Sequence, residues 1–283
     1  MNFQIKKITI MLLILIISLG LLLSGCENNN DKTSQGVIVT SPEVAEIIAE
    51  LGGIDKIIAR TEYCDYPQKM LDIESVGDFS SIDIERVIEL KPQIIFTAAF
   101  EQQEFFDKLQ PFGIEVVKIH SNSFASYYDN VQLIADKLGL QEMAPRLITD
   151  FKKAIANLTL PTNPPKVYFE ISSNLGTVTN NSFIGELIIR AGGLNIFGDL
   201  NKDFFIAKNE DVVQANPDVI IALSYLSKAD VSQRRGWQNI AAVQKGNIYT
   251  IEDIDIDTVM RTIPRSTQAL QKFNQWFLEY DKK

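Results

Sequence analysis

Short apolar runs alternate along the chain with segments whose apolar residues recur at a helical period. The runs 37–40, 57–59, 94–96, 114–119, 167–171, 219–221 and 248–251 are rich in valine and isoleucine and read as strands covered on both faces. Between them, Ser41-Pro42 ahead of Glu43 offers a capping serine with proline at the first helical position, and Gly52-Gly53 offers a stop. Regular alternation of this kind predicts an α/β fold with mainly parallel sheets.

The pattern also repeats. Two segments 125 positions apart each place a glutamate seven residues before a proline and an apolar run after it: Glu85 with Pro92, and Glu210 with Pro217. A second pair occurs in the same order, Glu46 ahead of Gly52-Gly53 and Glu186 ahead of Gly192-Gly193. Each first-type repeat reads as a short helix with Val87 and Ile88, or Val212 and Val213, on its apolar face, ended by proline and followed by a buried strand. The chain therefore holds two related lobes. Between them Leu147, Ile148, Phe151, Ile155 and Leu158 form a stripe at helical spacing, with Pro145 tolerable only near the first turn. The expected organisation is an N-terminal lobe over 36–139, one long inter-lobe helix over 140–160 and a C-terminal lobe over 161–283. A single stiff connection predicts small hinge motion.

Upstream of the lobes, Lys6 and Lys7 precede an apolar run over 8–23 and the sequence Leu23-Ser24-Gly25-Cys26. The run is shorter than the ~20 residues of a membrane span. Residues 1–25 read as a lipoprotein signal peptide, Cys26 as the lipidated residue, and the polar stretch 26–35 as a flexible tether. The expected location is the extracytoplasmic face of the cell membrane, held by the lipid.

The 283 residues are 46% hydrophobic, ample for a core, and the net charge of -9 argues against nucleic acid as a partner. With Cys26 lipidated, Cys64 is the one thiol left and no internal disulfide can form. His120 is the only histidine, so neither a catalytic triad nor a multi-imidazole metal site can be assembled. Phosphate-loop, dinucleotide-binding and hydrolase signatures are missing from the sequence. The expectation is a protein without catalysis, resident metal or cofactor. Asp253, Asp255 and Asp257 would share one face of a strand, but without a glycine-bearing calcium loop they read as a solvated loop. Tyr63, Tyr66, Phe79, Phe100, Phe204 and Phe205 fall where elements end, the position from which loops line a crevice at the carboxyl ends of strands. Arg261 and Arg265 add cations ahead of the last helix, able to meet a ligand or to balance acids.

Taken together, the lipobox, Ser41-Pro42, Tyr63-Cys64-Asp65-Tyr66-Pro67, Ile84-Glu85, Lys91-Pro92, Gly192-Gly193, Asn195-Ile196-Phe197, Asn216-Pro217-Asp218 and Pro264-Arg265 carry a family resemblance. The chain resembles the helical-backbone (class III) periplasmic substrate-binding proteins of ABC importers, most of all their vitamin B12-binding branch. The resemblance implies two Rossmann-like lobes and a monomeric receptor that captures a large metal-chelate small molecule and delivers it to an ABC permease and ATPase complex. It implies permease docking by Glu85 and Glu210, and contact with a corrinoid by Tyr63, Phe79, Phe204 and Arg261. Phenylalanine stands at 79 and 204 where that branch leads one to expect tryptophan. A ferric siderophore or haem is the alternative ligand within the family. A metal-cluster scaffold or an enzyme on the same plan would need a ligand set that His120 and Cys64 hardly supply.

Overall fold

The computed structural model describes residues 36–78, 81–98 and 103–282, the side chains of 103, 104 and 106 excepted. The expected signal peptide, Cys26, the tether, Phe79 and Phe100 lie outside the described residues.

In the first lobe the strands are β1 (Val37–Val39), β2 (Ile57–Arg60), β3 (Ile94–Ala98) and β4 (Glu115–Ile119), and the helices are α1 (Pro42–Glu50), α2 (Ile84–Leu90), α3 (Gln103–Leu109) and α4 (Phe124–Leu138). Helix α5 (Ala144–Ala156) follows. The second lobe holds β5 (Lys166–Glu170), β6 (Gly176–Val178), α6 (Phe183–Arg190), β7 (Leu194–Asn195), β8 (Phe204–Ile206), α7 (Asn209–Ala215), β9 (Val219–Ala222), α8 (Lys228–Ser232), α9 (Ala241–Lys245), β10 (Ile248–Thr250), α10 (Asp257–Met260) and α11 (Ser266–Asp281).

Each lobe centres on a four-stranded parallel sheet. The orders are β2-β1-β3-β4 and β7-β5-β9-β10, so each places its second strand first, followed by its first, third and fourth. The repeat read from the sequence is thus a repeat of topology, and its stops are built alike. Helices α2 and α7 end on Lys91 and Asn216, both left-handed with φ of 48°, immediately before the prolines. Helices α1 and α6 run into Gly52 and Gly192 at φ of 79° and 94°. There the amides of Gly53 and Gly193 reach back to the carbonyls of Ile48 and Ile188, both at 2.9 Å. A side chain in that backbone region would be strained, so glycine is the natural residue.

The start of α1 differs from expectation. Ser41 has the extended backbone of a cap, but its hydroxyl makes no capping hydrogen bond. Its carbonyl accepts from Ala45, and Pro42 sets the first helical angle. Serine capping appears instead at Ser123 of α4, Ser182 of α6 and Ser227 of α8.

Helix α5 occupies the middle of the expected 140–160 segment, with Pro145 in its first turn. Its stripe does more than connect. Phe151 is buried against Phe124, Tyr127 and Tyr128 at ring distances of 5.2, 4.4 and 5.9 Å. One contiguous apolar cluster runs from Val44 and Ile134 of the first lobe through Phe151 to Leu187 and Phe273 of the second. Smaller clusters lie around Ile38, Val87 and Ile95, and around Tyr168, Val212 and Trp237. The antiparallel hairpin of β6 and β8 and the two-residue β7 were not foreseen: their apolar runs are too short and too broken by glycine and polar residues to stand out. No helix among the described residues is long and apolar enough to cross a membrane.

Because Phe151 fills the place where both lobes and α5 meet, Phe151→Ala should cost about 3–5 kcal/mol. Urea unfolding followed by circular dichroism measures this, and a loss below 1 kcal/mol would mean that the shared core does not depend on that ring.

Candidate functional site

In parallel sheets the loops leaving the carboxyl ends of the strands lie along one edge. Here the two edges are brought together by side chains that cross between lobes. After β10 the chain returns to the first lobe, where Arg265 grips the Glu46 carboxylate of α1 with Nε and Nη2 at 2.8 and 2.9 Å. Arg265 also bonds Asp255 at 2.8 Å, and its guanidinium lies 3.8 Å from the centre of the Tyr66 ring. Beside it, Arg261 bonds Asp257 at 3.0 Å and lies 3.6 Å from Glu46 and 3.8 Å from Asp65. Glu46 is only 1% exposed. Burial raises its carboxyl above the ordinary range, and the two arginines oppose that shift.

The opposite flank is related by the repeat. Glu186 of α6 accepts from the Phe124 amide at the start of α4, at 2.7 Å, and from Arg190 at 3.2 Å. Both glutamates of the second repeat pair therefore reach across to the beginning of the other lobe's last long helix. A carboxylate is favourable at a helix N-terminus.

Between these flanks each lobe has a polar floor. In the first lobe, Ser121 after β4 hydrogen-bonds Glu43 at the start of α1, and Asn130 donates to Ser121 at 2.8 Å. This bridge spans the end of β3, because β3 lies between β1 and β4. Burial pushes the Glu43 carboxyl up to about 7, with the serine hydrogen bond opposing. In the second lobe, Glu170 at the end of β5 is 0% exposed. It is held by Arg234 at 2.5 and 2.8 Å, by Ser224 at 2.6 Å and by Tyr168 at 3.2 Å. Arg234 in turn lies over the Trp237 ring at 4.6 Å.

Two of the candidate rings are more than half exposed. Tyr63 is 53% exposed on the loop after β2, the loop that Arg261 and Arg265 meet through Asp65 and Tyr66. Phe204 is 70% exposed on β8, with Ile206 on the same side of that strand. Arg261 lies in the inter-lobe cluster, facing three carboxylates. Phe79 and Cys26 fall outside the described residues. Glu85 and Glu210 are exposed in the first turns of α2 and α7, each on the helix that feeds a central strand.

The remaining candidates are accounted for locally. His120 is exposed after β4, and its carbonyl accepts from Asn130 at 2.8 Å. Asp253, Asp255 and Asp257 lie in turns and at the start of α10 rather than along a strand, paired with Lys228, Arg265 and Arg261. Cys64 is buried, and burial pushes its thiol up to about 11, which keeps it protonated and a poor metal ligand. No group of side chains suited to holding a metal ion occurs among the described residues. Sequence reasoning overlooked Tyr225, an exposed ring three residues beyond the end of β9. The 125-residue offset would have found it, since it aligns Tyr225 with Phe100.

Family comparison matches the periplasmic binding protein family over residues 37–254. The chain belongs to the periplasmic binding protein family. Among relatives of this binding protein, YvrC of Bacillus subtilis, an ABC transporter substrate-binding lipoprotein itself uncharacterised, is 26% identical over 253 residues, covering 85% of this chain and 79% of YvrC. The vitamin B12-binding protein of Vibrio cholerae is 24% identical over 245 residues, covering 84% of this chain and 87% of that protein. In fold, the binding protein is similar to the haem-binding protein HutB of Vibrio cholerae, with a TM-score of 0.77 at 18% identity over 86% of this chain and 98% of HutB.

The Glu43 floor generates a pH prediction. Its folded carboxyl keeps its proton to about pH 7, against an ordinary value of 4.5. The associated stability is full below pH 4.5 and is lost as pH rises through 7, by up to about 3 kcal/mol. Glu43→Gln should flatten the profile of urea midpoint against pH in that window; an unchanged slope would show that Glu43 ionises normally.

Proposed function

We propose that this periplasmic binding protein is the lipid-anchored, extracytoplasmic receptor of an ABC importer, and that it holds a corrinoid between its lobes for delivery to a permease and ATPase complex. In this reading residues 1–25 are the signal peptide, Cys26 carries the lipid, the receptor acts as a monomer and no chemical step is catalysed.

The observation that carries the corrinoid reading is the state of the arginines at the strand ends. Arg60 bonds the carbonyls of Thr61, Glu62 and Met70, Arg234 bonds Glu170, and Arg261 and Arg265 face Glu46, Asp65, Asp255 and Asp257. Their charge is answered by the protein, and around the last two it is outnumbered by carboxylates. Tyr63, Phe204 and Tyr225 leave their rings exposed. Such a surface suits a flat chelate rimmed with neutral amides better than an anionic one. Resemblance to vitamin B12-binding relatives supports the same choice. Tyr63, Phe79 and Phe204 would lie against the ring, with Arg261 at its edge or holding the Tyr63 loop. Haem is the second reading, favoured by the exposed imidazole of His120 at the end of β4, since histidine is a common haem ligand. A ferric siderophore ranks behind it, because a strongly anionic chelate would meet the acidic cluster.

Visible-absorption and calorimetric titration with cobalamin, cobinamide, haem and ferric siderophores should show binding of at least one corrinoid, tighter than of the anionic chelates. Silence with both corrinoids rejects this choice of ligand.

The exposed pair Glu85 and Glu210 is assigned to permease docking because the repeat puts one acid on the equivalent helix of each lobe. Replacing both with alanine should abolish uptake in cells while ligand affinity stays within about twofold. A large affinity loss would instead put them at the ligand.

A further inference from the structure

Among the described residues, four other than glycine adopt positive φ: Lys91, Leu175, Asn216 and Tyr225. Three have evident reasons within the fold. Lys91 and Asn216 close helices ahead of prolines, and Leu175 packs on the apolar cluster around Trp237. Tyr225 closes no helix, yet its φ is 60° and it is the most exposed large apolar side chain among the described residues, at 77%. Among those residues no hydrogen bond or ring contact involves it. Left-handed backbone costs a residue with a Cβ roughly 1–2 kcal/mol, and an exposed ring recovers none of that cost through packing.

What holds the strained turn is the floor beneath it. Ser224, the preceding residue, is 7% exposed and donates to the Glu170 carboxylate, which Arg234 clamps through both of its terminal nitrogens. The turn leaves the end of β9, a central strand of its sheet, and so stands at the middle of the carboxyl edge rather than at its flank. Its repeat partner in sequence is another ring, Phe100. Strain concentrated in a solvent-facing aromatic residue, on a turn fixed by a buried ion pair, is the signature of a side chain positioned for something outside the chain.

The geometry points to Tyr225 as a ligand-contact residue of the second lobe, a preset aromatic wall against which the face of a large planar metal chelate rests. This assignment rests on the receptor reading above and adds to it the residue that presents the wall. Glu170, Ser224 and Arg234 are positioning residues, acting on the ligand through the turn.

The test uses the full chain and its Tyr225→Phe, Tyr225→Ala and Tyr225→Gly variants, titrated with cyanocobalamin, dicyanocobinamide and haemin, with ligand-free melting recorded in parallel. For whichever probe the unaltered chain binds, Tyr225→Ala and Tyr225→Gly should weaken affinity about tenfold and Tyr225→Phe less than about threefold. Tyr225→Gly should also raise the ligand-free melting temperature, because glycine relieves the strain. Affinity and stability then move in opposite directions, which a merely structural tyrosine would not produce. Equal affinity of Tyr225→Ala and the unaltered chain overturns the assignment and leaves the receptor reading standing. Failure of the unaltered chain to bind any of the three probes overturns both.

Discussion

A carboxylate buried between two arginines of the opposite lobe is the constraint around which this protein is arranged. Glu46 has left water almost completely, so it needs the fork of Arg265 and the nearby charge of Arg261. Removing one partner of such a pair typically costs about 3–5 kcal/mol, mostly because the survivor is stranded. The same two arginines reach Asp65 and Tyr66, so the clasp that joins the lobes also sets the loop bearing Tyr63. The joining of the lobes and the placement of the Tyr63 loop are thereby coupled through one ion cluster. Arg261 sits among three carboxylates, hydrogen-bonding range being reached only at Asp257, while its buried Nη1 has no hydrogen-bond partner among the described residues.

The counterpart clasp at Glu186 uses a backbone amide where the first uses a guanidinium. The duplication has preserved the position of the acid while changing what answers it. Between the two clasps runs a single apolar core containing Phe124, Phe151 and Phe183, whose rings touch across the lobe boundary. Close-packed cores resist continuous deformation, so wide hinge opening would have to break this one. The stiffness expected from a single linking helix has a broader base than that helix: two clasps and a common core surround it.

The polar floors divide the labour differently. In the first lobe a carboxyl raised to about 7 and a serine bridge over the end of a central strand. In the second a fully buried carboxylate organises Arg234, Ser224 and Tyr168. Both use buried polar groups to fix backbone at the mouth of a sheet.

How much of this was legible beforehand follows from the range of each interaction. Strands over 37–39, 94–98 and 219–222 and the stops at Pro92, Pro217, Gly52 and Gly192 were readable because they arise from local sterics and apolar periodicity, which any stretch of chain carries with it. Duplication was readable as well, since spacing survives divergence. The short β6 and β8 were not, because a three-residue strand is stabilised by its partner rather than by its own composition. Nor could the fate of the charges be foreseen: Glu46 and Arg265 are 219 positions apart, and nothing local distinguishes Glu46, buried and clasped, from Glu85, left in solvent. Local sterics, apolar periodicity and composition set the alternating architecture, its two halves and its acidic character. Which acids and rings face one another was settled by folding, because charge pairing and exposure depend on distances that a linear order of residues does not contain.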